Sequence, residues 1–178
     1  PEQELTFPDA AYTLDSGDNE EFDSNTLRFE YESPVAPATV FDYDMETRKR
    51  TLRKTQEIPS GHDPANYVTR RVMAPARDGE TVPATLLYRK ETPLDGSAPL
   101  FLYGYGSYGI SIPASFSTAR LSLVDRGFIF AIAHIRGGGE LGKKWHEDGR
   151  LMSKMNTFTD FIACCEFVIQ EGYTTKEQ

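Results

Sequence analysis

Hydrophobic and polar positions alternate with period two in the first third of the chain, from Thr26 to Glu32 and again from Thr39 to Asp44. That period places successive side chains on opposite faces, so both runs predict half-buried antiparallel strands. Between them stand Pro34 and Pro37, and after them Met45 to Thr47 leads into the basic run Arg48 to Arg50, a turn that feeds a third strand through Leu52. A meander of this size cannot bury two faces. It is expected to belong to a larger sheet assembly, and one blade of a β-propeller is the natural candidate.

The pattern changes after the breaker cluster Ile58 to Pro64, where the boundary between two domains, 1–62 and 63–178, is placed. Tyr67 to Met73 and Val82 to Tyr88 are β-rich runs flanking Asp78-Gly79, a strong hairpin signal. Leu100 to Tyr103 is short and wholly apolar, as expected for a strand buried on both faces. Apolar positions between Phe116 and Arg126 suit a helix closed by Gly127, and Phe128 to Ala133 is the next buried strand. Asn156 and Thr157 offer N-caps for a last helix, with Phe158, Phe161, Ile162, Cys165, Val168 and Ile169 as its apolar stripe and Gly172 at its end. Strand, helix, strand, loop, helix predicts an α/β fold with parallel crossovers.

Composition bounds the function classes. The chain has 178 residues, 39% hydrophobic and 12% aromatic, enough to bury a core. A net charge of −8 argues against nucleic acid and anionic membranes, which both call for a clustered basic surface. No apolar run approaches the length of a membrane span. Cys164 and Cys165 are adjacent in a predicted helix, where their side chains diverge; free thiols and a reducing compartment, the cytoplasm, are expected.

Two glycine-rich segments carry the candidate chemistry. Gly104 to Gly109 satisfies G-x-G-x-x-G directly after a strand, which raises a dinucleotide site. Such a site needs its helix to start at the glycines, whereas Pro113 follows and helical periodicity begins only near Phe116; the position after the second strand, where an acid would meet the ribose, is His134. The segment also approaches the nucleophile elbow G-x-S-x-G, but Tyr105 stands where the first glycine belongs. Taken alone, these glycines let a loop turn tightly at a strand end. The second segment, His134 to Gly142, follows the next predicted parallel strand. Both loops then lie at carboxyl ends of strands, where open α/β sheets place their ligands.

Leu102 to Gly109, Arg120 to Phe128, Ala131 to Gly142, Trp145 with Glu147 to Gly149, Asn156 to Asp160 and Gly172-Tyr173 resemble, in order and spacing, the prolyl oligopeptidase family of serine peptidases. Ser107-Tyr108 is similar to the oligopeptidase B type. The resemblance runs from about Asn66 to Tyr173, and Thr26 to Leu52 looks like the final propeller strands of that family. It implies a seven-bladed propeller covering an α/β-hydrolase domain, with this chain holding the propeller's last antiparallel strands and the hydrolase domain's N-terminal part. It further implies cleavage of short basic peptides after Arg or Lys through a Ser-His-Asp triad, with no cofactor and no metal. On this resemblance Tyr105 donates its hydroxyl to the oxyanion hole and Tyr108 walls the pocket for the basic side chain. Arg136 and Glu140 are counted with the substrate-binding residues, as groups that hold the site together by charge-assisted bonds; a structural ion pair is the alternative. His134 and His146 are expected to be structural, and Glu147 with Asp148 to form a solvated loop. Pro113 and Ser115 stand where some members carry aspartates for a second basic residue.

No G-x-S-x-G occurs in the sequence. The nucleophile, catalytic Asp and catalytic His are therefore expected beyond Gln178, in the remainder of the same polypeptide, and the chain alone is expected to be inactive. A non-catalytic binding or regulatory module on a hydrolase-like scaffold is the second reading.

Overall fold

The computed structural model describes residues 4–178; Pro1, Glu2 and Gln3, at the head of the first expected domain, lie outside the described residues. Two four-stranded sheets follow one another along the chain. The first is an antiparallel meander of β1 (Thr13–Ser16), β2 (Thr26–Glu32), β3 (Thr39–Asp44) and β4 (Arg50–Thr55). Alternation gives it one aromatic face, where Phe29, Tyr31 and Tyr43 are buried with Phe7 and Phe41 packed against them. On its other side Asp42 bridges β2 and β4, accepting from Arg28 Nε at 2.7 Å and from Arg53 Nε at 2.7 Å. The sequence pattern foresaw β2 to β4; β1 is an addition, paired to β2 through Thr13 to Ser16.

The second sheet has the order β5-β6-β8-β7, with β5 (Tyr67–Pro75), β6 (Thr81–Arg89), β7 (Leu100–Gly104) and β8 (Ile129–Ala133). It is mixed: β5, β6 and β8 run antiparallel in turn, and β7 alone pairs β8 in parallel. The Asp78-Gly79 turn joins β5 to β6, and Gly79 takes the φ of +92° that only glycine adopts without strain.

Period two decides which helix covers which face. Ile129, Ala131 and Ala133 of β8 join Leu86 of β6 beneath α3 (Met155–Gln170), whose Cys164 and Val168 are buried there. Phe130 and Ile132 join Leu87 beneath α1 (Thr118–Val124), through Leu121 and Val124. A short helix, α2 (Lys143–Glu147), lies between β8 and α3 and buries Trp145 in the first of these clusters. Val35, from the loop after β2, packs into the α1 cluster, and Glu32 accepts a hydrogen bond from Phe116 N–H at 3.0 Å, so the end of β2 meets the segment around α1 there.

Three expectations are corrected. β7 is an edge strand of the described residues, with Phe101 and Tyr103 exposed, so it is not buried on both faces. Asn156 and Thr157 lie inside the first turn of α3, not before it, because both side chains are drawn away to loops instead of capping. The buried stripe of α3 is Thr157, Asp160, Ala163, Cys164 and Val168, while Phe158, Ile162 and Cys165 face outward. Thr157 and Asp160 displace the apolar stripe because they satisfy loop groups packed against the same face.

Candidate functional site

Parallel pairing of β7 with β8 runs in register to Gly104 opposite Ala133, so the two glycine-rich loops leave the sheet side by side at the same end. What the loops can do there depends on how closely their backbones approach. Gly137 donates its N–H to Trp145 O at 3.0 Å, and its own carbonyl accepts from Gly109 N–H at 3.0 Å. A Cβ added to Gly137 would stand 2.2 Å from Gly106 O, and one added to Gly149 would stand 2.1 Å from Gly137 N. Three segments therefore meet backbone to backbone at Gly106, Gly137 and Gly149, a contact no side chain would permit.

Helix α3 fastens this junction. Thr157 Oγ1 lies 2.7 Å from Arg136 O, 3.2 Å from Gly149 O and 3.4 Å from Gly106 O; one proton makes the shortest its principal bond. Lys154 Nζ donates to Gly106 O at 2.6 Å and to Ser107 Oγ at 2.8 Å. Burial lowers the pKa of that ammonium. Asn156 adds a bond to Asp148 O at 2.9 Å.

Tyr105 leaves this junction half exposed, beside a cleft of about 330 Å³ that it shares with Ile135, Phe158 and Phe161. Tyr108 is 83% exposed and holds a φ of +57°, a conformation that costs a non-glycine residue free energy and clusters at functional sites. With Ser107 it borders a second cleft, about 480 Å³, whose other walls are Gly137, His146, Arg150 and Lys154. His146 shares a hydrogen bond with Gly137 O at 2.8 Å through Nδ1.

Arg136 is only 3% exposed. Its backbone N–H, Nε and Nη2 all donate to Asp160, and Nη1 donates to Asp78 at 2.7 Å. The Asp160 carboxylate in front and Asp78 behind raise its pKa, and the guanidinium in turn holds Asp78 below the usual carboxylate range. Glu140 ties the two glycine loops together by accepting from Ile112 N–H at 3.0 Å. Burial pushes its carboxyl up, yet the His134 ring and the Ile112 N–H outweigh this and keep it below its ordinary value. His134 Nδ1 stands 3.5 Å from Glu140, too long for a strong hydrogen bond, while Nε2 meets Thr85 Oγ1 at 2.8 Å.

The four residues singled out in the sequence thus divide into two pairs. Tyr105 and Tyr108 face the clefts; Arg136 and Glu140 are inside, spanning segments. Lys154, Thr157 and Asp160 were missed as site residues. A threonine and an aspartate three apart on the covered face of a helix were a usable signal for the latter two. Lys154 reaches a carbonyl 48 positions away, which no local pattern reveals. Among the described residues no group of three His, Cys, Asp or Glu is arranged to hold a metal ion, and no helix is long and apolar enough to cross a membrane.

Residues 114–178 match the prolyl oligopeptidase family. Over 171 residues the chain is 46% identical to dipeptidyl aminopeptidase BI of Pseudoxanthomonas mexicana, covering 96% of this chain and 24% of that protein. Oligopeptidase B from Trypanosoma brucei, solved in a closed form with covalently bound antipain, superposes with a TM-score of 0.90 at 42% identity, over 98% of this chain and 25% of that one. Oligopeptidase B from Leishmania major superposes with a TM-score of 0.88 at 41% identity, over 97% and 24% of the two chains. The chain therefore spans about a quarter of the length of the relatives it matches. With nearly its whole length matched in sequence and in backbone course, this chain belongs to the prolyl oligopeptidase family, as a segment of it.

Proposed function

We propose that the chain is part of a serine-type oligopeptidase that hydrolyses short peptides after arginine or lysine, and that it supplies an oxyanion-binding tyrosine and pocket walls but not the Ser-His-Asp triad. In this reading residues 1–62 are the last strands of a β-propeller and residues 63–178 the first part of an α/β-hydrolase domain. The triad comes from the remainder of a longer polypeptide. Two facts support that division: the relatives are about four times as long, and the sequence contains no G-x-S-x-G.

The observation that carries the reading is the placement of Tyr105. Its ring stands at the carboxyl end of a parallel strand, half exposed on a cleft, next to the close backbone junction of Gly106, Gly137 and Gly149. When a nucleophile attacks a scissile carbonyl, the carbonyl oxygen becomes an anion. A phenol fixed beforehand at that point donates to the anion without reorganising, and the loss of one such donor costs about 100- to 1,000-fold in kcat. Tyr108 offers an exposed ring for the alkyl stem and guanidinium of a basic side chain. Arg136 and Glu140 act on substrate indirectly, by holding the loops that carry the tyrosines. The net charge of −8 favours the approach of cationic peptides. The covalent antipain adduct of the Trypanosoma brucei relative supports nucleophilic chemistry for this scaffold.

The test is made on the full-length polypeptide that carries this chain. Tyr105→Phe is expected to lower kcat on an arginyl amide substrate about 100-fold or more, with KM little changed. A fluorophosphonate probe is expected to label the full-length polypeptide and not the isolated chain. An unchanged kcat, or serine labelling within these 178 residues, would overturn the reading.

A further inference from the structure

Lys154 has no part in the reading above, yet its ammonium makes two short hydrogen bonds in the site. It sits at the N-terminal boundary of α3, and its ammonium crosses to the first glycine loop to donate to Gly106 O at 2.6 Å and Ser107 Oγ at 2.8 Å. Those acceptors follow Tyr105 directly and precede Tyr108 directly. The other fastenings of Gly106 are steric or weak: a Cβ there would stand 2.6 Å from both Ile135 Cγ1 and Thr157 Cγ2, and Thr157 Oγ1 is 3.4 Å from its carbonyl. Gly106 holds φ at +62°, so the segment turns sharply between the two tyrosines. Charge-assisted hydrogen bonds are roughly twice as strong as neutral ones, and the cation is partly withdrawn from water, which strengthens them further.

We propose that Lys154 is a positioning residue for Tyr105: it clamps the Gly106–Ser107 peptide to the start of α3 and thereby fixes where the phenol hydroxyl stands. The proposal rests on the oxyanion role given to Tyr105 above. It assigns Lys154 no contact with substrate and no proton transfer. Its consequence is that the same clamp sets the distance between the two tyrosines, since both leave from the clamped peptide. A displacement of about 1 Å at a transition-state donor can cost about 100-fold in rate, so one ammonium is enough to matter.

The experiment is a double-mutant cycle in the full-length polypeptide, with kcat and KM read on an arginyl amide substrate. Lys154→Met is expected to lower kcat by about 10- to 100-fold with KM changed by less than about threefold. Lys154→Arg, which keeps a cationic donor, is expected to recover most of that loss. In the Tyr105→Phe background Lys154→Met is expected to cost less than about threefold, because the donor it positions is gone. Thermal melting of each variant separates misplacement from unfolding, and Lys154→Gln serves if the Met variant does not fold. An equal loss in both backgrounds, or an unchanged kcat in Lys154→Met while Tyr105→Phe is impaired, overturns the proposal alone. If Tyr105→Phe itself leaves kcat unchanged, the oxyanion reading falls and the proposal with it.

Discussion

Asp160 grips Arg136 through three donors of the same residue: the backbone N–H at 3.0 Å, Nε at 2.8 Å and Nη2 at 2.5 Å. The aspartate is fully buried and the arginine nearly so. Because one of the three donors is backbone, the pair fixes the course of the chain leaving β8, and not merely a side chain.

Removing one partner of a buried pair leaves the other charge without compensation. Asp160→Ala is expected to destabilise the protein by about 3–5 kcal/mol, read as a lower urea midpoint, whereas Asp160→Leu combined with Arg136→Met is expected to cost clearly less. A double variant worse than the single one would refute this account of the pair.

Gly137→Ala introduces a Cβ at 2.2 Å from Gly106 O, a collision with backbone that no rotamer relieves, at a φ of +99°. The second loop must move away from the first. In the full-length polypeptide kcat is expected to fall about 100-fold, with a smaller effect from Gly142→Ala, whose added carbon meets nothing within 4 Å. Steady-state kinetics of the two variants side by side checks this.

Tyr108 separates backbone strain from ring contact. At φ +57° an alanine keeps the strain and a glycine relieves it, so Tyr108→Gly is expected to be more stable than Tyr108→Ala by about 1 kcal/mol. Both lose the ring. Both are expected to raise KM for an arginyl substrate several-fold, whichever of them melts higher.

Asp42 gives the first sheet a specific acid sensitivity. Its hydrogen bond from Arg28, seconded by Arg53 against the opposing effect of burial, lowers its carboxyl pKa to about 2. An unfolded aspartate titrates near 3.9, so the folded state binds the proton less readily. The stabilisation is complete above about pH 4 and is lost as pH falls through about 2. The stability difference between wild type and Asp42→Asn is expected to be constant near neutrality and to shrink over that acid window, as followed by circular dichroism.

Local chemistry explains what could be read from the sequence. Alternation through β2 and β3, the Asp78-Gly79 hairpin and the apolar β8 run are short-range signals, and each element stands where its pattern placed it. β7 and α3 were misjudged for one shared reason. An apolar run tells that burial is favourable but not which neighbour provides it, and here Phe101, Tyr103, Phe158 and Ile162 remain exposed among the described residues. Tyr105 and Tyr108 were singled out by the family resemblance, since the glycine spacing around them reads by itself only as a tight turn. Of the clamp, Thr157 and Asp160 left a usable trace three apart on the covered face of α3, but Lys154 did not, since its acceptors lie 47 and 48 positions away.

The meeting of Gly106, Gly137 and Gly149 has a bearing on engineering. Each strip of main chain is the mould for the other two, so a swap of one loop from a distant relative brings a shape cut for different neighbours. A productive chimaera would have to move all three strips and the start of α3 as a single block.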